Sequence, residues 1–250
     1  MIRVKNLYKS FNGRTVLDDI SVTFEPGKTN LIIGQSGSGK TVLLKSIVGL
    51  HEIDRGEIWF EDKLFNKLDF RGKKEIRKEM GMLFQGSALF DSLTVEQNVR
   101  FPLDMFTDQL MEEKTDRVNF CLNRVNIINA NKLFPAELSG GMRKRVAIAR
   151  AISLNPRYLF CDEPNSGLDP ITAILIDDLI KEITLEYCMT TIVNTHDMNS
   201  VMEIGEKILF ISEGIKCWEG NKNEILHSDC EKLNDFVFAN SLAKQLRNSK

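Results

Sequence analysis

The chain is poor in cysteine, in proline and in uninterrupted apolar sequence. Its five cysteines, Cys121, Cys161, Cys188, Cys217 and Cys230, are odd in number and contain no C-x-x-C pair. That excludes a disulfide-stapled scaffold and reads as reduced, cytosolic thiols. The three histidines, His51, His196 and His227, join them in no zinc-like spacing. Only 6 prolines among 250 residues, with 42% apolar and 27% charged, exclude a disordered or collagen-like chain. No run reaches the roughly 18 apolar residues of a membrane span. In residues 1–30, Arg3, Lys5, Lys9, Arg14, Asp18 and Asp19 break up any signal-peptide core. Net charge is missing too: 33 basic against 35 acidic residues leave −2, so nothing pulls the whole chain toward nucleic acid or anionic lipid. What is left is a chain that folds throughout and is long enough for one large domain or two small ones.

What is present has a clear order. Residues 2–24 alternate, as in Ile20-Val22-Phe24, and are punctuated by Asn12-Gly13 and Pro26-Gly27, which predicts short antiparallel strands joined by turns. Leu31-Ile32-Ile33 is instead continuous, as in a strand buried on both faces, and it ends at a glycine-rich loop followed by a helical run from Thr41 to Val48. Two later runs share this form: Tyr158–Cys161 ending at Asp162-Glu163, and Thr191–Thr195 ending at His196-Asp197. Buried strands with polar C-terminal ends predict a parallel α/β sheet with its site along one edge. Between Leu93 and Ser153 the spacing turns helical, with Thr94 and Thr107 as expected N-caps and Leu110, Val118, Cys121, Leu122 and Val125 as the inward face. This predicts a helical subdomain over 93–153, inserted between the core segments 1–92 and 154–220. A hairpin turning at Glu213-Gly214 and a helical tail over 221–250 close the chain.

Gly34-Gln35-Ser36-Gly37-Ser38-Gly39-Lys40-Thr41 matches G-x-x-x-x-G-K-[ST] between a strand and a helix. Glycines let successive backbone N–H groups converge on phosphate oxygens at a helix N-terminus whose dipole favours anions. Lys40 is expected to reach the β- and γ-phosphates, and Thr41 to offer its hydroxyl to Mg²⁺. Asp162 is placed to hold that Mg²⁺ through water, and Glu163 to accept a proton from attacking water. Taken alone, Asp-Glu-Pro reads more readily as a strand-end turn, and His196 as a helix-cap or core residue. Their shared sheet edge favours the chemical reading.

Leu138-Ser139-Gly140-Gly141-Met142 opens a further helix, with Met142, Val146, Ala149 and Ile152 on its apolar face, and so offers a second anion grip. With this motif the chain resembles the ATP-binding-cassette (ABC) ATPases over almost its full length. The resemblance implies a P-loop NTPase (RecA-like) core with an antiparallel β subdomain and an inserted α-helical subdomain. It implies Phe11 stacking on adenine, residues 34–41 as Walker A, and Gln85 as the Q-loop glutamine that senses Mg²⁺ and the γ-phosphate. It further implies Ser139–Gly141 as the signature, Asp162 as the Walker B aspartate, Glu163 as catalytic base, Asp169 in the D-loop and His196 as the switch histidine. A head-to-tail homodimer around ATP and Mg²⁺, held on membrane permease subunits, is part of the same implication.

Met82–Phe90, Glu137–Arg145 and Asp169-Pro-Ile-Thr172 look like the lipid-trafficking branch, the MlaF type. That branch implies phospholipid as cargo, an MCE-domain lipid-binding partner and a peripheral place on the cytoplasmic face of the inner membrane. A polar amino-acid or other small-solute importer is the alternative; a nucleic-acid-associated ABC ATPase fits less well, because one cassette stands here without heptads and with balanced charge, and no nucleic-acid partner is expected. Asn165 departs from the threonine or bulky residue usual in the family. Leu89, Phe90, Phe101, Leu103 and Phe106 are expected to divide between core and a groove for a permease helix, and Arg143-Lys144-Arg145 to form a solvated charge run.

Overall fold

Asn12 and Gly13 both take positive φ, 50° and 79°, the backbone needed for a two-residue hairpin, and they join β1 (Ile2–Phe11) to its antiparallel partner β2 (Arg14–Phe24). The structure, a computed structural model, describes residues 1–238. The chain then enters β3 (Thr29–Ile33), every residue of which is buried, and passes through the glycine-rich loop into α1 (Lys40–Ile47). β4 (Arg55–Phe60) returns to pair with β1, and β5 (Lys63–Leu64) completes a four-stranded sheet of order β2-β1-β4-β5.

After α2 (Phe70–Lys78) comes the short β6 (Met80–Leu83), followed by α3 (Val95–Phe106), α4 (Met111–Arg124) and α5 (Gly140–Ile152). β7 (Tyr158–Asp162), α6 (Pro170–Glu186), β8 (Thr190–Thr195), α7 (Met198–Ile204), β9 (Lys207–Ser212), β10 (Ile215–Gly220) and α8 (Glu231–Val237) follow. The second sheet has order β10-β9-β3-β8-β7-β6; all its strands run parallel except β10, which hairpins back on β9. The hairpin turns at Glu213-Gly214, as the sequence predicts. Of the expected C-terminal tail, α8 is seen, and residues 239–250 lie outside the described residues.

The continuous apolar runs have a simple cause. Successive side chains of a strand point to opposite faces, and here both faces are covered. Leu31, Ile33, Leu159, Cys161, Val193, Ile208 and Phe210 enter one core with α3–α7. Ile32, Tyr158, Phe160, Ile192, Leu209 and Ile211 enter another, packed against α1 and the four-stranded sheet. β3, β7 and β8 have no solvated face to encode, so their sequences show no alternation.

Two helix details correct the sequence-based expectation. Thr94 does cap α3, accepting from the Gln97 N–H at 3.3 Å while Gln97 reaches back to the Thr94 N–H at 2.9 Å. Thr107 caps no N-terminus. It ends α3 by donating its hydroxyl to the Leu103 carbonyl at 2.8 Å, and α4 starts after Leu110, whose N–H is taken by Glu113 at 2.8 Å. Leu110 is therefore exposed, whereas Val118, Cys121, Leu122 and Val125 are buried.

Candidate active site

The loop from Gly34 to Gly39 connects the C-terminal end of β3 to α1, at the edge where β7 and β8 also end. Gly34 has φ +150°, and a Cβ there would stand 2.2 Å from the Ile211 carbonyl oxygen, so only glycine lets the loop leave the sheet this way. α1 opens on Gly39 in a left-handed conformation and has no side-chain cap, which leaves its first N–H groups uncommitted. A cleft of about 500 Å³, lined by Arg14–Val16 and Ser212–Gly214, adjoins Gln35, Ser36, Gly37 and Ser38. Lys40 is 5% exposed and donates to the carbonyls of Gly34 (2.8 Å) and Gln35 (2.9 Å). Burial pushes its ammonium below the usual lysine range, against the opposing pull of the Glu163 and Asp162 carboxylates.

Thr41, Asp162 and Asn194 form one cluster. The Thr41 hydroxyl donates to Asp162 Oδ1 at 3.1 Å, and the Asn194 amide donates to Thr41 Oγ1 at 3.0 Å and to Asp162 Oδ1 at 2.6 Å. Hydroxyl and carboxylate oxygens are hard donors of the kind Mg²⁺ takes. Among the described residues no group of three or more His, Cys, Asp or Glu side chains is placed to hold a metal ion. Asn194 is the residue missed in the sequence, although a signal existed: it is the one side-chain amide in the otherwise apolar and threonine-containing run of β8.

Glu163, next in line, has φ +49°, a left-handed backbone that costs a non-glycine residue of order 1 kcal/mol or more. Its N–H donates to Asn194 O at 2.9 Å, and His196 Nδ1 lies 2.9 and 2.8 Å from its two carboxylate oxygens. The turn thus sends Asp162 toward Thr41 and Glu163 toward His196. Gln85, just beyond β6, donates its side-chain amide to Ser166 Oγ at 3.3 Å.

Ser139 caps α5, accepting from the Met142 N–H at 3.2 Å. Gly141 is needed for close packing, since a Cβ would meet Thr172 Cγ2 at 2.6 Å. Among the described residues no hydrogen bond joins Ser139–Gly141 to residues 34–41. Asp169 caps α6 through Thr172, at 3.0 Å from its N–H and 2.5 Å from its hydroxyl, which holds the Asp169 carboxyl below the usual carboxylate range. The Phe11 ring is 40% exposed, edge-on to His51 at 5.3 Å and 4.9 Å from the Lys9 ammonium. Asn165 donates to Ser200 Oγ at 3.0 Å.

The charge run is solvated only in part: Arg143 is exposed and Arg145 half-buried, but Lys144 is buried. Arg143 donates to the Leu138 carbonyl at 2.7 Å and Arg145 to the Asn126 carbonyl at 3.1 Å. Lys144, 4% exposed, donates to the Gln85 carbonyl and, at 3.4 Å, to the Glu163 carbonyl. Burial lowers its ammonium below the usual lysine range, with Cys161, Asp162 and Glu163 opposing. The reason is helical phase: Lys144 lies three residues after buried Gly141 and four before buried Ile148. Of the apolar set after Gln85, Leu103 is core and Leu89 packs against it. Phe90, Phe101 and Phe106 instead line a groove of about 400 Å³ with Met82, Phe84 and Leu154.

Comparison with known proteins adds the following. The ABC transporter family model matches residues 17–166. The methionine import ATP-binding protein MetN of Campylobacter jejuni is 36% identical over 253 residues, covering 95% of this chain and 75% of MetN. The intermembrane phospholipid transport system ATP-binding protein MlaF of Haemophilus influenzae is 37% identical, covering 95% of this chain and 90% of MlaF. The dimeric ABC transporter cassette MJ0796 superposes with a TM-score of 0.82 at 32% identity, over 89% of this chain and 99% of that one; the same cassette is also known in a post-hydrolysis state with ADP and Pi, with a TM-score of 0.80.

Proposed function

The chain belongs to the ABC transporter family and is the ATP-binding, ATP-hydrolysing subunit of such a transporter; from that premise we propose that two copies, head to tail, clamp ATP and drive a phospholipid-moving permease. The observation that carries the site reading is the turn at Asp162-Glu163, which divides two adjacent carboxylates between Thr41 and His196.

In this reading Gly34, Gln35, Ser36, Gly37, Ser38 and Gly39 offer backbone N–H groups to the phosphates, Lys40 exchanges its two carbonyl partners for β- and γ-oxygens, and Phe11 stacks on adenine. Thr41, Asp162 and Gln85 hold Mg²⁺. When bound, that ion neutralises charge on the β- and γ-phosphates. Glu163 accepts the proton of a water attacking the γ-phosphorus as the bond to the bridging oxygen breaks and ADP leaves. His196 orients the carboxylate. Ser139, Gly140, Gly141 and Asp169 act on the ATP held by the partner copy, consistent with the dimeric state of the similar cassette MJ0796. A γ-phosphate shared by two helix N-termini joins two surfaces, and its removal releases them.

Phospholipid as cargo rests on Met142, the Asp169–Thr172 run and the likeness to MlaF. With it go an MCE-domain partner and a position on the cytoplasmic face of the inner membrane, reached through permease subunits; among the described residues no helix is long and apolar enough to cross a membrane. The groove lined by Phe90, Phe101 and Phe106 receives a cytoplasmic helix of the permease. The second reading, a small-solute importer, is favoured by the likeness to the methionine-import protein MetN. Glu163→Gln tests the site: we expect hydrolysis slowed by about 10²-fold or more, the scale of a lost general base, with a dimer trapped in ATP. Wild-type turnover would remove Glu163 from this role. Stimulation of the reconstituted ATPase by phospholipid, and not by methionine, separates the two cargo readings.

A further inference from the structure

Lys144 has no part in the site as read so far, yet it is one of the few buried cations among the described residues. It belongs to α5, the helix that Ser139 opens, and its ammonium lies between two backbone carbonyls from different parts of the chain. One is that of Gln85, at the head of the loop leading to the Phe90 groove. The other is that of Glu163, whose left-handed backbone positions the carboxylate against His196. We propose that Lys144 is a positioning residue for hydrolysis: its ammonium, bridging the Gln85 and Glu163 carbonyls, fixes the orientation of the Glu163 carboxylate relative to the Gln85 loop and the signature helix. The proposal rests on the reading of Glu163 as proton acceptor.

Three features support it. First, the other ties of Glu163 run from its N–H to Asn194 on β8, from its carboxylate to His196 just beyond that strand, and from its carbonyl to the Ser166 N–H of its own turn at 3.2 Å; none of them reaches α5. Lys144 supplies the tie to the helical layer, and with it a route by which movement of the signature helix reaches the carboxylate. Second, a left-handed non-glycine residue persists only where its surroundings hold it, and an ammonium on the Glu163 carbonyl is such a hold. Third, a buried ammonium is costly unless its donors are used; this one uses them on two main-chain oxygens of the site and on no carboxylate side chain among the described residues. Its reach is also specific. A shorter polar side chain at 144 cannot span both carbonyls, and an apolar one leaves both without this donor.

The test compares Lys144→Met, one atom shorter than lysine and without donors, with Lys144→Gln, of the same length as methionine but with an amide NH2 to donate, in the purified full-length chain. Steady-state turnover, MgATP affinity and thermal midpoint are measured together, with Glu163→Gln alongside. We expect Lys144→Met to lower kcat by about ten-fold or more, the scale of a lost hydrogen bond to a charged group, with MgATP affinity within about two-fold of wild type, and Lys144→Gln to recover part of kcat. An unchanged kcat in Lys144→Met overturns the proposal. So does a loss in which kcat, nucleotide affinity and thermal midpoint fall together and Gln restores nothing, because that is a structural role only. If Glu163→Gln is inert while Lys144→Met turns over normally, Lys144 alone falls; if Glu163→Gln turns over normally, the reading of the site falls and the proposal with it.

Discussion

Two helix N-termini in this chain carry glycine-rich sequences, and they are finished differently. α1 begins at Gly39 with no side-chain cap, and Lys40 and Thr41 of its first turn are held by the loop carbonyls, Asp162 and Asn194. α5 begins at Ser139, which takes the Met142 N–H itself, and among the described residues no hydrogen bond joins this end to the phosphate loop. The first terminus is a finished half-site whose unused donors await an anion. The second is a stable helix end on a separate layer, complete in itself and useful only against another surface. In the proposed reading, the difference is why one chain would bind nucleotide and a second copy would supply the rest.

That comparison can be broken at either end. The largest effect is expected for Gly140→Asp. A Cβ at Gly140 meets only Leu168 Cδ2, at 3.5 Å, and an aspartate in the first turn suits the helix dipole, so the chain folds. The new charge opposes a partner's phosphate, and turnover should fall by about 10²-fold or more, the scale of a lost preorganised donor, while the single chain still binds MgATP. Loss of binding in the solitary chain would show that the two termini are not independent. Lys40→Ala acts at the other end and should weaken MgATP binding by roughly ten- to a hundred-fold, as for a lost charge-assisted hydrogen bond; calorimetric titration reads it, and unchanged affinity would defeat the assignment of residues 34–41.

The smallest effect sharpens the comparison from behind the Asp169 turn, where α6 buries Asp177. Burial pushes its carboxyl up to about 6 from the usual 3.8, partly offset by Ser200 and Asn165 and reinforced by Asp197 and Asp178. The folded chain therefore keeps this proton while the unfolded chain loses it, so stability falls as pH rises from about 4 to about 6, by up to ~3 kcal/mol. Asp177→Asn should raise the thermal midpoint at pH 8 and leave it nearly unchanged at pH 4, with turnover retained. A gain equal at both pH values would contradict the burial argument.

Much of this was legible before any coordinates, because the phosphate loop, the Asp162-Glu163 step and the Ser139 motif are contiguous, and each is set by one loop's backbone geometry. The strands of the parallel sheet were legible for the same reason that they are featureless: two covered faces demand continuous apolar sequence. What could not be read depends on pairings far apart in the chain. β6 is four residues long with a glycine in it, too little for a pattern. Thr107 carries the residue type of a cap but turns its hydroxyl back on α3. Lys144 sits in a run of three cations whose solvated look hides that each one ends on a main-chain carbonyl. Asn194 reveals its purpose only when β8 is laid between α1 and β7.

The claim that two chains each lend half of one pocket is tested most directly by mixing the two defective proteins. At an ATP concentration too low to fill the weakened Lys40→Ala pocket, chains carrying Lys40→Ala and chains carrying Gly140→Asp are each expected to be nearly inert, since every pocket in either homodimer has one damaged half. In a mixed dimer both lesions fall on one pocket and the other is whole. Turnover should therefore emerge on mixing; a mixture as inert as its parents would contradict the shared pocket.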